Sequence, residues 1–118
     1  MDESIQKHIE ESLPKVGRFQ WFADAMLSGC AKTGPLKSAL CDGYGHACAL
    51  GAYLIGIGEL NPNLRVDSID DPHFERIWTK REDEVLDAYQ VAYGRHIDGD
   101  NDHSSIAREQ IAARIAAL

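Results

Sequence analysis

One segment of the sequence, ACALGAYLIGIG at residues 47–58, is apolar on every side of a helix. A helix that is hydrophobic all round has no face to turn toward water, so it belongs in the centre of a folded domain. Its apolar run is far shorter than the roughly 20 residues that a membrane-spanning helix needs. The sequence therefore predicts a buried central helix over residues 47–57, which the other elements must cover.

Helical periodicity and helix-end signals predict five further helices around this one. An Asp-Asp-Pro start at residues 70–72 and a capping box of Thr79 and Glu82 mark the beginnings of two of them. The six predicted helices span about residues 2–13, 18–29, 47–57, 71–78, 79–94 and 104–118. We expect Asp102 or Ser104 to cap the last one, after a polar loop.

Residues 30–46 have no helical period, and their Gly34-Pro35 and Asp42-Gly43 pairs are turn signals. A small β-hairpin near residues 36–46 is therefore predicted. With 118 residues, the chain has the size of one domain. The expected fold is mainly α, a single domain over residues 1–118 with about six helices packed around the buried helix at 47–57.

The negative charge of the chain is concentrated in one stretch. Residues 67–102 carry eleven acidic and four basic side chains, whereas the other 82 residues carry eight of each, so the whole net charge of −7 lies here. Such a field repels nucleic-acid phosphates and anionic lipid, and it attracts a basic partner or a cation. We therefore expect neither a nucleic-acid nor a membrane partner. The alternative explanation of this charge is that it binds no partner and forms a solvated surface that keeps the protein soluble.

This acidic stretch supplies the leading functional hypothesis, a non-enzymatic module that binds a basic surface of another protein. Charge complementarity would be anchored there by one or two tryptophans. The candidate partner-binding residues are Asp70, Asp71, Trp78, Glu82, Asp83, Glu84, Asp87 and Trp21. Assembly into a homo-oligomer stays open.

A cysteine hydrolase or deamidase is the alternative hypothesis. The three cysteines are an odd number and follow no apolar leader, so we expect a cytoplasmic protein without a disulfide framework. Cys48 falls at the start of the central helix, where the helix dipole lowers the pKa of a thiol. With His96 or His103 as base and Asn101 as the orienting group, it follows the residue order of papain-like hydrolases. The competing explanation is a small core residue.

Calcium binding is a third hypothesis. The segment DGDNDHSSIARE, residues 98–109, matches a twelve-residue calcium loop in part. Its candidate ligands, at the first, third, fifth and twelfth places, are Asp98, Asp100, Asp102 and Glu109. The sixth place, where such a loop needs glycine for a sharp turn, holds His103. The competing explanation is that the aspartates cap and solvate the last helix, and no cofactor other than calcium is expected.

Zinc is a further candidate ligand, because four side chains of suitable type are present. These are Cys30, Cys41, His46 and Cys48. The paired C-x-x-C arrangement typical of zinc fingers and ribbons is missing from their spacing. The Gly43-Tyr-Gly45 sequence lacks the lysine of a phosphate-binding loop, so nucleotide binding is not predicted.

Four short segments, taken in order, resemble a family of small uncharacterised proteins common in bacteriophages and phage-rich bacterial genomes. They are WFADAMLSG at 21–29, GPLKSAL at 34–40, CALGAYLIGIG at 48–58 and NDHSSIAREQIAARI at 101–115. The chain departs from the family at Ala47, where members often have a second cysteine, and at Thr33, where they have glutamine. The resemblance implies a phage or mobile-element context, and so an inhibitor directed at a host defence protein. It implies no activity, and it gives Asn101 and Asp102 weight as a cap or a site.

Overall fold

The computed structural model describes residues 17–72, 74, 76–103 and 105–118 of the chain. These residues form five helices and four short strands. The helices are α1 (Gln20–Lys32), α2 (Ala49–Gly56), α3 (Lys80–Tyr93), α4 (Ile97–His103) and α5 (Arg108–Ala116). The strands are β1 (Gly34–Pro35), β2 (Cys41–Asp42), β3 (His46–Ala47) and β4 (Arg65–Val66). Within the described part of the chain, no helix has the length and apolarity to cross a membrane.

The prediction of a mainly α fold with about six helices around a central one is wrong, because the fold is mixed α/β. The four strands form one sheet in the order β1-β3-β2-β4. Strand β1 pairs parallel with β3, whereas β2 pairs antiparallel with both β3 and β4. The predicted hairpin corresponds to β2 and β3 but belongs to this larger sheet. Strands of two residues are too short to show the alternation that identifies a strand in sequence.

Three further segments differ from the prediction. The described residues of 71–78 are not helical, and Thr79, which has the extended conformation of an N-cap, begins α3. Helix α4 forms where a loop was predicted at 98–103. A helix this short is marginal on its own, and the buried side chains of α4 stabilise it. Helix α5 begins at Arg108, and Ser104 and the predicted helix at 2–13 lie outside the described residues.

The buried helix is confirmed as α2, in which six of eight residues are buried. It approaches its neighbours closely because glycines stand at the crossings. A Cβ atom on Gly29 of α1 would lie 1.7 Å from the carbonyl oxygen of Ala52, and one on Gly51 would lie 1.9 Å from that of Leu40. Gly29 was expected to end α1. It lies inside the helix instead, where the absence of a side chain allows the close contact with the backbone of Ala52.

The Gly29→Ala variant should lose stability, because a methyl group at this crossing forces α1 and α2 apart. Overpacking of this kind costs about 1–3 kcal/mol, which lowers the melting temperature by about 4–12 °C in a domain of this size. The matched control is Gly99→Ala on α4, where a Cβ atom meets no atom within 4 Å. The control should melt at the same temperature or slightly higher. Equal melting temperatures for both variants would contradict the close crossing.

Candidate functional site

The side chain of Asn101 on α4 joins three parts of the chain. Its Oδ1 accepts a hydrogen bond from the backbone N–H of Ala49 at 3.0 Å, at the start of α2. Its Nδ2 donates to the carbonyl oxygen of Leu36 and to Asp102 Oδ1, both at 2.9 Å. Asn101 is 5% exposed, so these bonds are shielded from water. The residue therefore acts as a clamp between α2, α4 and the loop after β1.

Asp102 holds a second point of the same loop. Its Oδ1 accepts a hydrogen bond from the backbone N–H of Ser38 at 2.9 Å. Ser38 has a φ of +66°, in the left-handed region that residues other than glycine rarely adopt. A strained backbone conformation of this kind persists when surrounding contacts hold it. The carboxylate of Asp102 supplies one such contact, and it thereby fixes the loop in a conformation that can line a cavity.

Between these elements lies an open cavity of about 230 Å³, which we call the acidic cleft. Its larger apolar lining residues are Leu40, Cys48, Leu50, Ile69 and Trp78. Its carboxylates are Asp67, Asp98 and Asp102. Asp98 and Asp102 lie one turn apart on α4 and therefore share a face of that helix. Asp67 approaches from the segment that follows β4, where it pairs with Arg65 at 3.2 Å.

A second cavity of about 280 Å³, the side pocket, adjoins the acidic cleft. The two cavities share Leu50, Trp78 and Asp98 as lining residues. The side pocket is completed by Leu86, His96 and Ile97. The indole of Trp78 is therefore a wall of both cavities, at the boundary between a charged and an apolar environment.

Cys48 is the N-cap of α2, next to its predicted place, but the predicted low pKa of its thiol is wrong. Burial raises that pKa to about 11, outweighing the N–H groups of Gly51 and Leu50 that bond to the sulfur. The negative charges of Asp102 and Asp98 raise it further. The cleft that contains the thiol therefore disfavours the thiolate that a cysteine hydrolase needs.

The other predicted catalytic residues are only partly brought together. Asn101 and Cys48 meet at the start of α2, where Asn101 clamps the backbone. His96 is exposed and lines the side pocket, whereas the thiol of Cys48 lies in the acidic cleft. His103 is exposed at the end of α4. The thiol therefore has acidic residues as neighbours in the acidic cleft, and neither His96 nor His103 lines that cleft.

Helix formation separates the aspartates of the predicted calcium loop. Asp98 and Asp102 line the acidic cleft, whereas Asp100 is buried. Asp100 Oδ2 accepts a hydrogen bond from the hydroxyl of Tyr89 at 2.5 Å and pairs with Arg114 at 3.3 Å. In a helix, positions two apart point in different directions, so alternating aspartates cannot converge on one ion as they do in a loop.

The remaining predicted metal ligands also lie apart. Glu109 is exposed on α5. The Cys41 thiol donates a hydrogen bond to the carbonyl oxygen of Leu64 at 2.8 Å, while His46 Nδ1 lies 2.7 Å from Asp42. Cys30, Cys41 and Cys48 are free thiols. Within residues 17–118, apart from the three undescribed positions, no group of three or more histidine, cysteine or acidic side chains is placed to hold a metal ion.

Glu82, one of the predicted partner-binding residues, is turned into the protein. It accepts hydrogen bonds from the Tyr53 hydroxyl and from Arg76 Nη2, the latter at 2.8 Å. Burial by itself would raise the pKa of this carboxyl, but the hydrogen bonds from Arg76, Tyr53 and Thr79 outweigh it and hold the pKa at about 2. Glu82 is 3% exposed and is therefore a structural anion.

The other predicted partner-binding residues differ in exposure. Trp21 is half-buried, and the guanidinium of Arg81 lies 3.8 Å from the centre of its ring. Asp71 is half-buried and accepts a hydrogen bond from the Asp67 N–H at 3.3 Å. The acids that remain exposed are Asp70, Asp83, Glu84 and Asp87. Trp78 alone of the predicted set lines the acidic cleft.

Asp67, Leu50 and Ile69 were missed as site residues. Asp67 was counted in the acidic stretch, but nothing in the sequence distinguishes it from its neighbours there. Asp98 and Asp102 were identified as ligands of a cation, although for a different geometry. Comparisons of the chain with protein-family models, with curated proteins and with solved structures found no match.

We expect Cys48 to react slowly with iodoacetamide at neutral pH. A pKa of about 11 instead of 9.0 leaves roughly 100-fold less thiolate. The rate should keep rising beyond pH 9, measured by mass spectrometry of the peptide that contains Cys48. The same chain unfolded in urea is the control and should react much faster. Rapid labelling that levels off below about pH 8 would show a stabilised thiolate and would favour the hydrolase hypothesis.

Acid should weaken the fold through Glu82. Its folded-state pKa of about 2 lies below its ordinary value of 4.5, so its charge stabilises the fold above pH 4.5 and this contribution is lost as the pH falls toward 2. The loss is on the order of 3 kcal/mol and is measured by urea unfolding at a series of pH values. Glu82→Gln should show a shallower loss than the wild type.

The control for this experiment is Glu84→Gln, the same chemical change at an exposed position of α3. It should follow the wild-type profile within about 0.5 kcal/mol. Parallel profiles for Glu82→Gln and the wild type would mean that the Glu82 network contributes nothing to acid sensitivity.

Proposed function

We propose that this protein is a non-enzymatic protein-binding module that captures a lysine or arginine side chain of its partner in the acidic cleft. One observation carries the proposal: three carboxylates and Trp78 line a single cavity of about 230 Å³. Its three acidic lining residues all come from residues 67–102, the stretch of the chain that holds the entire net charge. A basic surface of another protein is the partner that this arrangement fits.

The electrostatics of the cleft favour a cation. A concave site lined by charge of one sign, with apolar walls, concentrates the potential and raises the local concentration of the opposite charge. Burial is the main cause of the raised pKa of Cys48, and the negative charges of Asp102 and Asp98 beside the sulfur add to it. The same carboxylates stabilise a positive charge at the same place.

The size of the cleft favours a single side chain. Cavities that hold drug-sized molecules have volumes of about 300–1,000 Å³, whereas a cavity of about 150 Å³ holds benzene. At about 230 Å³ the acidic cleft lies between them. A lysine or arginine side chain has an apolar stem and a charged end, and it can place the stem along Leu50 and Ile69 with the charge at the carboxylates.

Trp78 is the expected energetic anchor of the interface. Tryptophan is among the residues that contribute most to protein–protein binding, and its ring attracts cations. The Arg76 guanidinium already lies 5.3 Å from the centre of this ring, with its charge balanced by Glu59 and Glu82. Trp21 is the less suitable anchor, because it lines neither the acidic cleft nor the side pocket.

The exposed acids of α3 extend the attraction beyond the cleft. Asp83, Glu84 and Asp87 are all exposed and carry the same sign as the cleft. Charges of this kind speed up the encounter with a basic partner more than they strengthen the final complex. The phage context would make the partner a bacterial host protein, a step that rests on the sequence resemblance alone.

The test uses short peptides in which one lysine or arginine stands among glycine and serine. The protein carries Trp21→Phe, so that Trp78 is its only tryptophan. We expect a saturable change in Trp78 fluorescence with the lysine or arginine peptide, and none with a norleucine peptide. Raising the salt from about 50 to about 300 mM should weaken the binding, since the carboxylates are partly exposed to solvent.

Asp98→Asn should weaken this binding about three- to tenfold, because it removes a carboxylate from the cleft. Asp83→Asn is the matched control, since it removes the same charge from an exposed position outside the cleft. It should change the affinity by less than about twofold. The proposal fails if no basic peptide saturates the signal, or if the norleucine peptide binds equally well, or if the two variants weaken binding equally.

A further inference from the structure

We infer that the partner is recognised through two neighbouring side chains, a basic one in the acidic cleft and a bulky apolar one in the side pocket. This inference rests on the proposed function and specifies the partner's sequence. Its basis is the contact between the two cavities, which share Leu50, Trp78 and Asp98. A chain segment that places one side chain in the cleft can therefore place a neighbouring side chain in the side pocket.

The side pocket has a different chemical character from the cleft. Apart from the shared Leu50 and Trp78, its apolar walls are Leu86, which is half-buried, and Ile97, which is 2% exposed. Its volume of about 280 Å³ is sufficient for a leucine, methionine or phenylalanine side chain. Burial of such a side chain is favourable wherever it removes apolar surface from water.

The distribution of carboxylates decides which of the two side chains enters which cavity. Asp98 stands on the shared wall, whereas Asp67 and Asp102 line only the acidic cleft. A cation in the side pocket would have one carboxylate nearby, and His96 at the same pocket brings no negative charge. A basic side chain is therefore better stabilised in the cleft, which leaves the side pocket to the apolar one.

The test is a set of peptides of about eight residues with one lysine and one leucine, separated by none, one, two or three glycine or serine residues. Binding is measured through Trp78 in the Trp21→Phe protein and by calorimetry. One spacing should bind at least about tenfold more tightly than the lysine-only peptide. At that spacing, replacing leucine by serine should remove the gain, and replacing lysine by norleucine should weaken binding further.

Leu86→Gln places a polar group on the wall of the side pocket. It should reduce the gain from leucine to less than about threefold and leave the affinity for the lysine-only peptide unchanged. Val91→Gln is the matched control, because Val91 lies on the same helix, is 86% exposed and lines neither cavity. If Leu86→Gln fails to fold, the peptide series still decides the question, since it needs no change in the protein beyond Trp21→Phe.

The outcomes separate this inference from the proposed function. If lysine-only peptides bind but no spacing adds affinity, the inference fails and the proposed function stands. If neither the lysine nor the arginine peptides bind, both fail. If the peptide's leucine still adds the same affinity in Leu86→Gln, the placement of that leucine in the side pocket is overturned. Self-association that Asp98→Asn abolishes, measured by sedimentation, would make a second copy of this chain the occupant and overturn the inference.

Discussion

The buried amide of Asn101 is the contact on which the candidate site depends. It connects α4 to the first N–H of α2 and to the loop after β1, so three separate segments are held in one geometry. Asp102 adds the bond to Ser38 and holds that loop in a strained conformation. A buried amide that satisfies both donors and acceptors positions its surroundings strongly, because any other arrangement leaves polar groups unpaired. The clamp thereby holds in place the residues that α2, α4 and the loop after β1 contribute to the acidic cleft.

The charge at this site bears on both functional hypotheses that concern it. A nucleophilic cysteine needs a neighbourhood that stabilises negative charge, and the start of a helix usually supplies one. Here burial and the carboxylates of Asp98 and Asp102 raise the pKa of Cys48 instead. The two carboxylates, by contrast, favour a cation. Binding a basic side chain and activating the thiol are therefore opposed demands on one cavity, and the arrangement of charges favours binding.

Several features followed from local sequence alone. The burial of α2 was predicted from its uninterrupted apolar character, and the start and end of α3 were predicted from Thr79, Glu82 and Gly94. These signals depend on neighbouring residues and on the hydrogen bonds of helix ends, which act within a few positions. The strands were not recognised as a sheet, because each has two residues and is stabilised by partners distant in sequence.

The sequence by itself determined that an apolar helix would be buried and that negative charge would gather in residues 67–102. Only the tertiary structure decided which of those acids share a site. Glu82 and Asp100 have the same chemistry as Asp98, yet both are buried in pairs with arginines. Asp98 faces the cleft. The direction of a side chain depends on helix geometry and on the partner that satisfies its charge, and those partners are placed by the fold.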